Sequence, residues 1–361
     1  MVRAVRGGSR EGGLNRAMAT RALEFGPAVE ADIPAIRRLL LEVFGSPEDW
    51  RVFQPEVLRW KAFHPHPLWT GSRSYVVRAE DRIVAHGCLI PCEVLTGAEP
   101  LRGARIIDWA ANRKFPGTGS RIFNGILQLL DVVFAVGGSS DTLRILPLIG
   151  FQQTQGGAGY ARVIRPLRRW RMSSDSSWKG PARAARDLLR LAKPAHSAGA
   201  EWSIRRVTRF DETAAPVMPQ APGPGGFMPC RRTPELLNYL LACPAAAMEG
   251  YLLFRGGHMA GYAVLSRVGQ ECRLAEVWIA SSGAGDWADA YAVAATAAAR
   301  APETTMLTAR AFSPVLSASL EGAGFRTTTV EPLFRKERQP DTWPDDRMIE
   351  LGMLDDDYFY L

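Results

Sequence analysis

The sequence predicts an α/β (α+β) protein made of two copies of one domain, and three observations carry that prediction. Gln54-Pro-Glu-Val-Leu-Arg-Trp-Lys-Ala-Phe-His-Pro65 reads like Thr233-Pro-Glu-Leu-Leu-Asn-Tyr-Leu-Leu-Ala-Cys-Pro244, with the same spacing between the prolines. Each copy is followed, in register, by a tyrosine-led apolar run, a turn and a second apolar run, Tyr75–His86 and Tyr251–Tyr262. Arg105-Ile-Ile-Asp108 then echoes Arg273-Leu-Ala-Glu276, and each half closes on Gly-Phe, at 150–151 and 324–325. The period is too long for a solenoid, and 361 residues suit two domains of roughly 150 each.

The first repeat opens with a strand near Leu23-Glu-Phe25. Asp32 caps a helix with Pro34 just inside its start, and Gly45 ends it. Ile36, Leu39, Leu40 and Val43 form its apolar face. A short helix follows over 55–62, and Ser74–Ala79 with Arg82–Pro91 alternate around Glu80-Asp81 as a hairpin. Ala104–Ala111 is a strand, Phe115-Pro-Gly-Thr-Gly-Ser120 a glycine-rich turn, and Arg121 to about Asp131 a helix burying Ile122, Ile126, Leu129 and Leu130. Val132–Val136 is apolar throughout, as in the middle of a covered sheet, and a short helix over 142–148 leads to Gly150. The second repeat runs in the same order: strand near Trp202, helix 233–242, hairpin 250–267, strand 272–280, the turn Ser281-Ser-Gly-Ala-Gly285, helix 286–300, strand 304–310 and helix 313–322. Between the copies, Ser173–Ser177 reads as loop and Pro181–Lys193 as a basic amphipathic helix carrying Leu188, Leu189 and Leu191. The organisation expected is a basic tail (1–22), a first domain (23–168), a basic linker (169–200), a second domain (201–338) and a C-terminal tail (339–361) that docks or frays.

Composition narrows the function. The net charge of +7 is mostly arginine, concentrated in the N-terminal tail and the linker. Neither stretch interleaves aromatic residues or carries a nucleic-acid motif, which argues against nucleic acid as partner. No apolar run approaches the roughly 20 residues of a membrane span. The five cysteines form no metal-ligand cluster, so no metal is expected, and they read as free thiols of a reducing compartment, the cytoplasm. The first two dozen residues lack the apolar core of a secretory signal; they read as a disordered tail or as sequence ahead of a start at Met18.

The order strand, helices, hairpin, strand, glycine-rich turn, helix, strand, helix, Gly-Phe resembles the GNAT superfamily of acyl-CoA-dependent N-acyltransferases, over roughly 24–160 and 202–337. The superfamily signature of a basic or Gln residue, two spacers, Gly, one spacer and Gly or Ala is matched by Lys114-Phe-Pro-Gly117-Thr-Gly119, with Lys for the usual Arg or Gln. The resemblance implies two tandem GNAT-like domains, each a mixed, mostly antiparallel sheet flanked by helices, similar to bacterial enzymes. The residues themselves fit a pyrophosphate: Gly117 and Gly119 permit a sharp turn, backbone N–H groups converge at a helix start, and Ser120 and Arg121 add a hydroxyl and a charge.

The resemblance further implies that acetyl-CoA or a longer acyl-CoA is the co-substrate, bound by Trp109, Ala110, Ala111, Lys114, Phe115, Gly117, Thr118, Gly119, Ser120 and Arg121. N–H groups of the fourth strand would polarise the thioester, and Asp108, with or instead of His86, would take the proton of the amine. The acceptor would be a small-molecule amine, an amino sugar or a natural product, and an acyl carrier protein is a possible donor. Relatives often carry a Tyr four residues before the closing Gly; here those positions are Leu146 and Leu320. In the second copy Glu276, Gly283 and Gly285 keep their places, but the basic residue is gone and Asp286 puts a negative charge beside the turn. The first repeat is therefore the expected acyl-CoA binder. A Fem-type aminoacyl transferase, or a degenerate binding module without catalysis, are the alternatives.

Overall fold

The computed structural model describes residues 23–172, 179–192, 195–344 and 347–361. The expected tail at 1–22 and the expected loop at 173–177 lie outside them. The first repeat runs β1 (Leu23–Pro27), α1 (Ile33–Phe44), α2 (Pro55–Phe63), β2 (Ser74–Ala79), β3 (Arg82–Val94), β4 (Leu101–Ala111), α3 (Thr118–Leu127), β5 (Val132–Val136), α4 (Ser140–Leu148) and β6 (Gln152–Val163). Two helices, α5 (Pro166–Met172) and α6 (Lys179–Leu191), join it to the second repeat. That repeat runs β7 (Trp202–Val207), β8 (Met228–Pro229), α7 (Pro234–Leu241), β9 (Ala247–Arg255), β10 (His258–Val268), β11 (Glu271–Ile279), α8 (Ala284–Ala299), β12 (Met306–Ala311), α9 (Pro314–Gly322), β13 (Arg326–Glu337) and β14 (Ile349–Glu350).

Twelve strands form one sheet in the order β1-β2-β3-β4-β5-β13-β6-β12-β11-β10-β9-β7. The order is symmetric about its centre, where the last strand of each repeat has crossed over. β13 pairs with β5 of the first half, and β6 pairs with β12 of the second. The repeats follow one another in sequence, β6 ending at Val163 and β7 starting at Trp202, but the two halves of the sheet exchange an end strand. Neither β6 nor β13 was anticipated, for a physical reason. β6 carries Gly156, Gly157 and Gly159, and β13 exposes 326–330, so neither shows the alternation of a half-buried strand. Those glycines are packing positions: a Cβ on Gly157 would lie 2.4 Å from the Phe312 ring. The symmetry extends to side chains. Trp60 and Tyr239, equivalent in the repeated segment, stack on each other with centroids 4.9 Å apart.

Several local expectations differ from the structure. Gly45 ends α1 in the left-handed region (φ 62), as expected, but the Asp32 side chain makes no capping bond to α1; it pairs with Arg78 at 2.7 Å. Val43 is exposed, because Ile33, Ile36, Leu39 and Leu40 already fill the buried stripe. α3 starts earlier and ends at Leu127, which leaves Leu129 outside the helix and exposed. On α6 the three leucines face outward, while Gly180, Ala184 and Asp187 are buried. The C-terminal acidic-aromatic segment docks: Asp356 is buried between Arg105 and Arg310, and Phe359 and Tyr360 pack edge-on against Trp60. Among the described residues no helix is long and apolar enough to cross a membrane.

Candidate active site

β4 and β5 are paired in parallel only at Gly103–Val132, Ala104–Val133 and Arg105–Phe134. Beyond Arg105 they part, and β4 continues alone along β3 to Ala111. The β3–β4 register slips between His86 and Cys88, so that Asp108 and Trp109 together oppose one residue, a bulge. Asp108 takes the left-handed conformation there, with φ 50. Asn112 donates its N–H to Val84 (2.8 Å). By strand alternation the N–H of Ala111 then faces the opposite edge, toward the gap. Ala110 is buried opposite His86.

The turn after β4 leads into α3. Gly117 sits at its N-cap with φ 80 and open space where a Cβ would be, so only its backbone conformation demands glycine. Gly119 serves differently: a Cβ there would lie 2.9 Å from the Trp109 ring, whose Nε1 donates to Gly119 O at 3.1 Å. Thr118 is buried and its hydroxyl donates to Phe115 O (2.7 Å). In a helix that starts this way the N–H groups of its first turn, Gly119 and Ser120 among them, are left for an outside acceptor. Arg113 and Lys114 before the turn and Arg121 in α3 are exposed, and Arg113 pairs with Asp141 at 3.8 Å.

Trp109 points to the α3 side of the sheet, onto Phe123 (centroids 4.8 Å), and Asp108 to the α2 side. The Asp108 carboxylate meets Lys61 Nζ at 2.5 Å, with both side chains about 5% exposed. Burial pushes the Asp108 pKa above the usual carboxylate value, and Lys61 pulls it back. His86 touches the backbone of Asp108 and not its carboxylate: Nδ1 lies 3.0 Å from Asp108 O and Nε2 2.8 Å from Ser74 Oγ. Burial lowers the His86 pKa to about 4, so the ring is neutral at pH 7. Its Nδ1–H donates to Asp108 O, since a carbonyl can only accept, and Nε2 accepts from Ser74. The pocket around these groups, also walled by Ile33, Leu58 and Cys88, holds about 10 Å³ of free space, roughly room for one water.

No family model and no curated protein matches the chain. Solved structures do. A GCN5-related N-acetyltransferase from Anabaena variabilis superposes with a TM-score of 0.56 over 88% of this chain and 73% of its own, at 10% identity. A tandem GNAT protein from the clavulanic acid biosynthesis pathway gives 0.52 over 89% and 100%, at 14% identity. Saccharomyces cerevisiae N-myristoyltransferase with bound myristoyl-CoA gives 0.54 over 87% and 79%, at 11% identity. The fold is that of the GNAT N-acyltransferases, in tandem.

The second GNAT-type half repeats the frame with different contents. β11 and β12 also pair over three residues, Glu271–Met306 to Arg273–Thr308, and then part. Trp278, Trp287 and Phe227 form an edge-to-face cluster beside that gap, with Trp278 and Trp287 centroids 5.3 Å apart. A carboxylate, Asp286, stands beside the helix start. Gly283 N donates to Ser281 Oγ (3.1 Å), Ser281 donates to Asp286 (2.6 Å), and Asp286 pairs with Arg255 (2.8 Å). Gly285 is exposed, with open space where a Cβ would be. Glu276, the equivalent of Asp108, is gripped by Arg232 at 2.5 Å and receives the Tyr262 hydroxyl, and Asp355 joins Arg232 at 2.8 Å. Tyr262 is the in-register equivalent of His86. Two buried leucines, Leu146 and Leu320, occupy the places where relatives often carry Tyr.

Sequence reasoning passed over Lys61 and Ser74. Lys61 had a signal: the repeated segment sets it against Leu240, a charge in one copy where the other is apolar. The docked Asp355 and Asp356 had none, because nothing in a terminal acidic run shows which arginines it will meet. Among the described residues no three His, Cys, Asp or Glu side chains stand close enough to hold a metal.

Proposed function

We propose that the chain transfers an acyl group from acyl-CoA, or from an acyl carrier protein thioester, to a primary amine, with the donor in the first half. The observation that carries this reading is the gap between β4 and β5 beside a glycine-started helix, with Arg113, Lys114 and Arg121 exposed in the adjoining sequence. The second half has the gap, but there Asp286 sets a carboxylate beside the helix start. The pyrophosphate meets the N–H groups of Gly119 and Ser120, and the pantetheine runs into the gap. The thioester carbonyl faces N–H groups at the end of β4. The acceptor arrives from the α2 side, where its amine replaces Lys61 at Asp108 and gives up a proton to that carboxylate. The nitrogen attacks directly, the C–S bond breaks and water protonates the thiolate. His86 stays neutral and fixes the bulge that carries Asp108. The acceptor is a small molecule, amino sugar or natural product, the second half walls its approach, and the setting is the cytoplasm.

Calorimetry with acetyl-CoA and longer acyl-CoAs, paired with thiol release over an amine panel, tests this. Acyl-CoA binds, and Asp108→Asn leaves that binding intact while lowering turnover about 10²-fold. Failure to bind any acyl-CoA would sink the proposal and turn attention to an aminoacyl donor of the Fem type. A binding module without catalysis is the second reading, favoured by the closed Lys61–Asp108 pair and by Leu146. It predicts acyl-CoA binding with no thiol released to any amine.

A further inference from the structure

The helix α6 has three sides, and one of them is buried. At 3.6 residues per turn, Gly180, Ala184 and Asp187 share the buried side. Pro181, Ala185, Leu188 and Leu189 share a second side, and every one of them is exposed, Leu189 at 72%. Arg183, Arg186 and Arg190 share the third. An apolar stripe this complete gains nothing in water. The neighbouring α5, packed on α6, adds exposed Leu167, Trp170 and Met172. Together the two helices carry six arginines against one aspartate, Asp187, which is buried and held by Arg186 at 2.9 Å and Arg190 at 3.4 Å.

We propose that α5 and α6 form a docking surface for an anionic lipid bilayer. A convex helix with leucine on one side, arginine on the next and a tryptophan beside it matches the chemistry of a helix lying in the headgroup plane. The charge complements acidic headgroups, and the leucines and Trp170 enter the acyl boundary. An acidic protein would be met by the arginines alone and would leave a row of four apolar residues without a groove to cover them. The surface is separate from the acyl-transfer site and does not depend on that activity.

The test is sedimentation of the full chain with phosphatidylcholine vesicles, with and without 30% phosphatidylglycerol, at low and high salt. Residues 1–22 are also rich in arginine, so the decisive comparison is the variant Leu188→Gln/Leu189→Gln. Both positions are exposed, and an unchanged thermal midpoint confirms the fold. Wild type binds the anionic vesicles, weakens at high salt, and loses about tenfold in partition with the leucine variant; Arg183→Gln/Arg186→Gln/Arg190→Gln loses the phosphatidylglycerol preference. No binding to anionic vesicles overturns the proposal. So does binding that the leucine variant leaves unchanged, which assigns it to the tail. Capture of an acidic carrier protein without vesicle binding overturns it in favour of a protein partner.

Discussion

Replacing Lys61 with Met isolates the electrostatics of the pocket. Lys61 and Asp108 are both about 5% exposed and meet at 2.5 Å. Met keeps the length and the packing against Phe53 but leaves the carboxylate buried without its partner, a change that costs about 3–5 kcal/mol when one member of a buried pair is removed. The cost depends on pH. Burial raises the Asp108 pKa and Lys61 lowers it, so the variant's Asp108 titrates higher still. Where that carboxyl holds a proton in the folded variant and has lost it in the unfolded chain, stability falls as pH rises. Between the two folded values, the gap from wild type widens by about 1.4 kcal/mol per pH unit. Denaturant unfolding from pH 5 to pH 8 measures it. Lys61→Met/Asp108→Leu removes the pH dependence and recovers most of the loss. A gap that is constant with pH, or smaller than about 1 kcal/mol, would refute the view that these groups form a buried, mutually neutralising pair.

Three further outcomes follow from single contacts. Gly119→Val drives a Cβ to 2.9 Å from Trp109; the expected loss is about 1–3 kcal/mol, read by urea unfolding and partly relieved in a Trp109→Ala background. Asp356→Ala leaves Arg105 and Arg310 buried without their shared carboxylate; about 3–5 kcal/mol is lost at pH 7, with the C-terminal segment becoming sensitive to protease. His86 drops from 6.5 in the unfolded chain to about 4 in the fold. Wild type therefore loses roughly 3 kcal/mol of stability as pH falls from 6.5 to 4, a loss that His86→Gln escapes in the same titration.

The frame was legible because the chain states it twice. Proline-framed helices, hairpins and Gly-Phe closures fall at matching places, and a resemblance that rests on order survives the drift that leaves 10–14% identity to the solved structures. The strand exchange was not legible. β6 and β13 are glycine-rich or polar, and pairing between distant segments leaves no periodicity to read. At the site, Asp108 and the Gly117 turn stood out through their position in the repeat, and Asp286 already put a negative charge beside the second turn. His86 was recognised but its partner was not: which atom of Asp108 it meets depends on a bulge, and one residue of slippage reverses the face of every side chain beyond it. Lys61 hid because a lysine in a short helix ordinarily faces solvent.

The central claim is asymmetry, one functional donor site in a doubled fold, and calorimetry of acetyl-CoA on two matched variants tests it most directly. Gly117→Glu places a carboxylate on a helix start with open space around it, whereas Gly283→Glu adds one where Asp286 already stands. The account predicts that the first variant abolishes binding and the second leaves the affinity within about twofold. Loss of binding in Gly283→Glu with Gly117→Glu unaffected would contradict it.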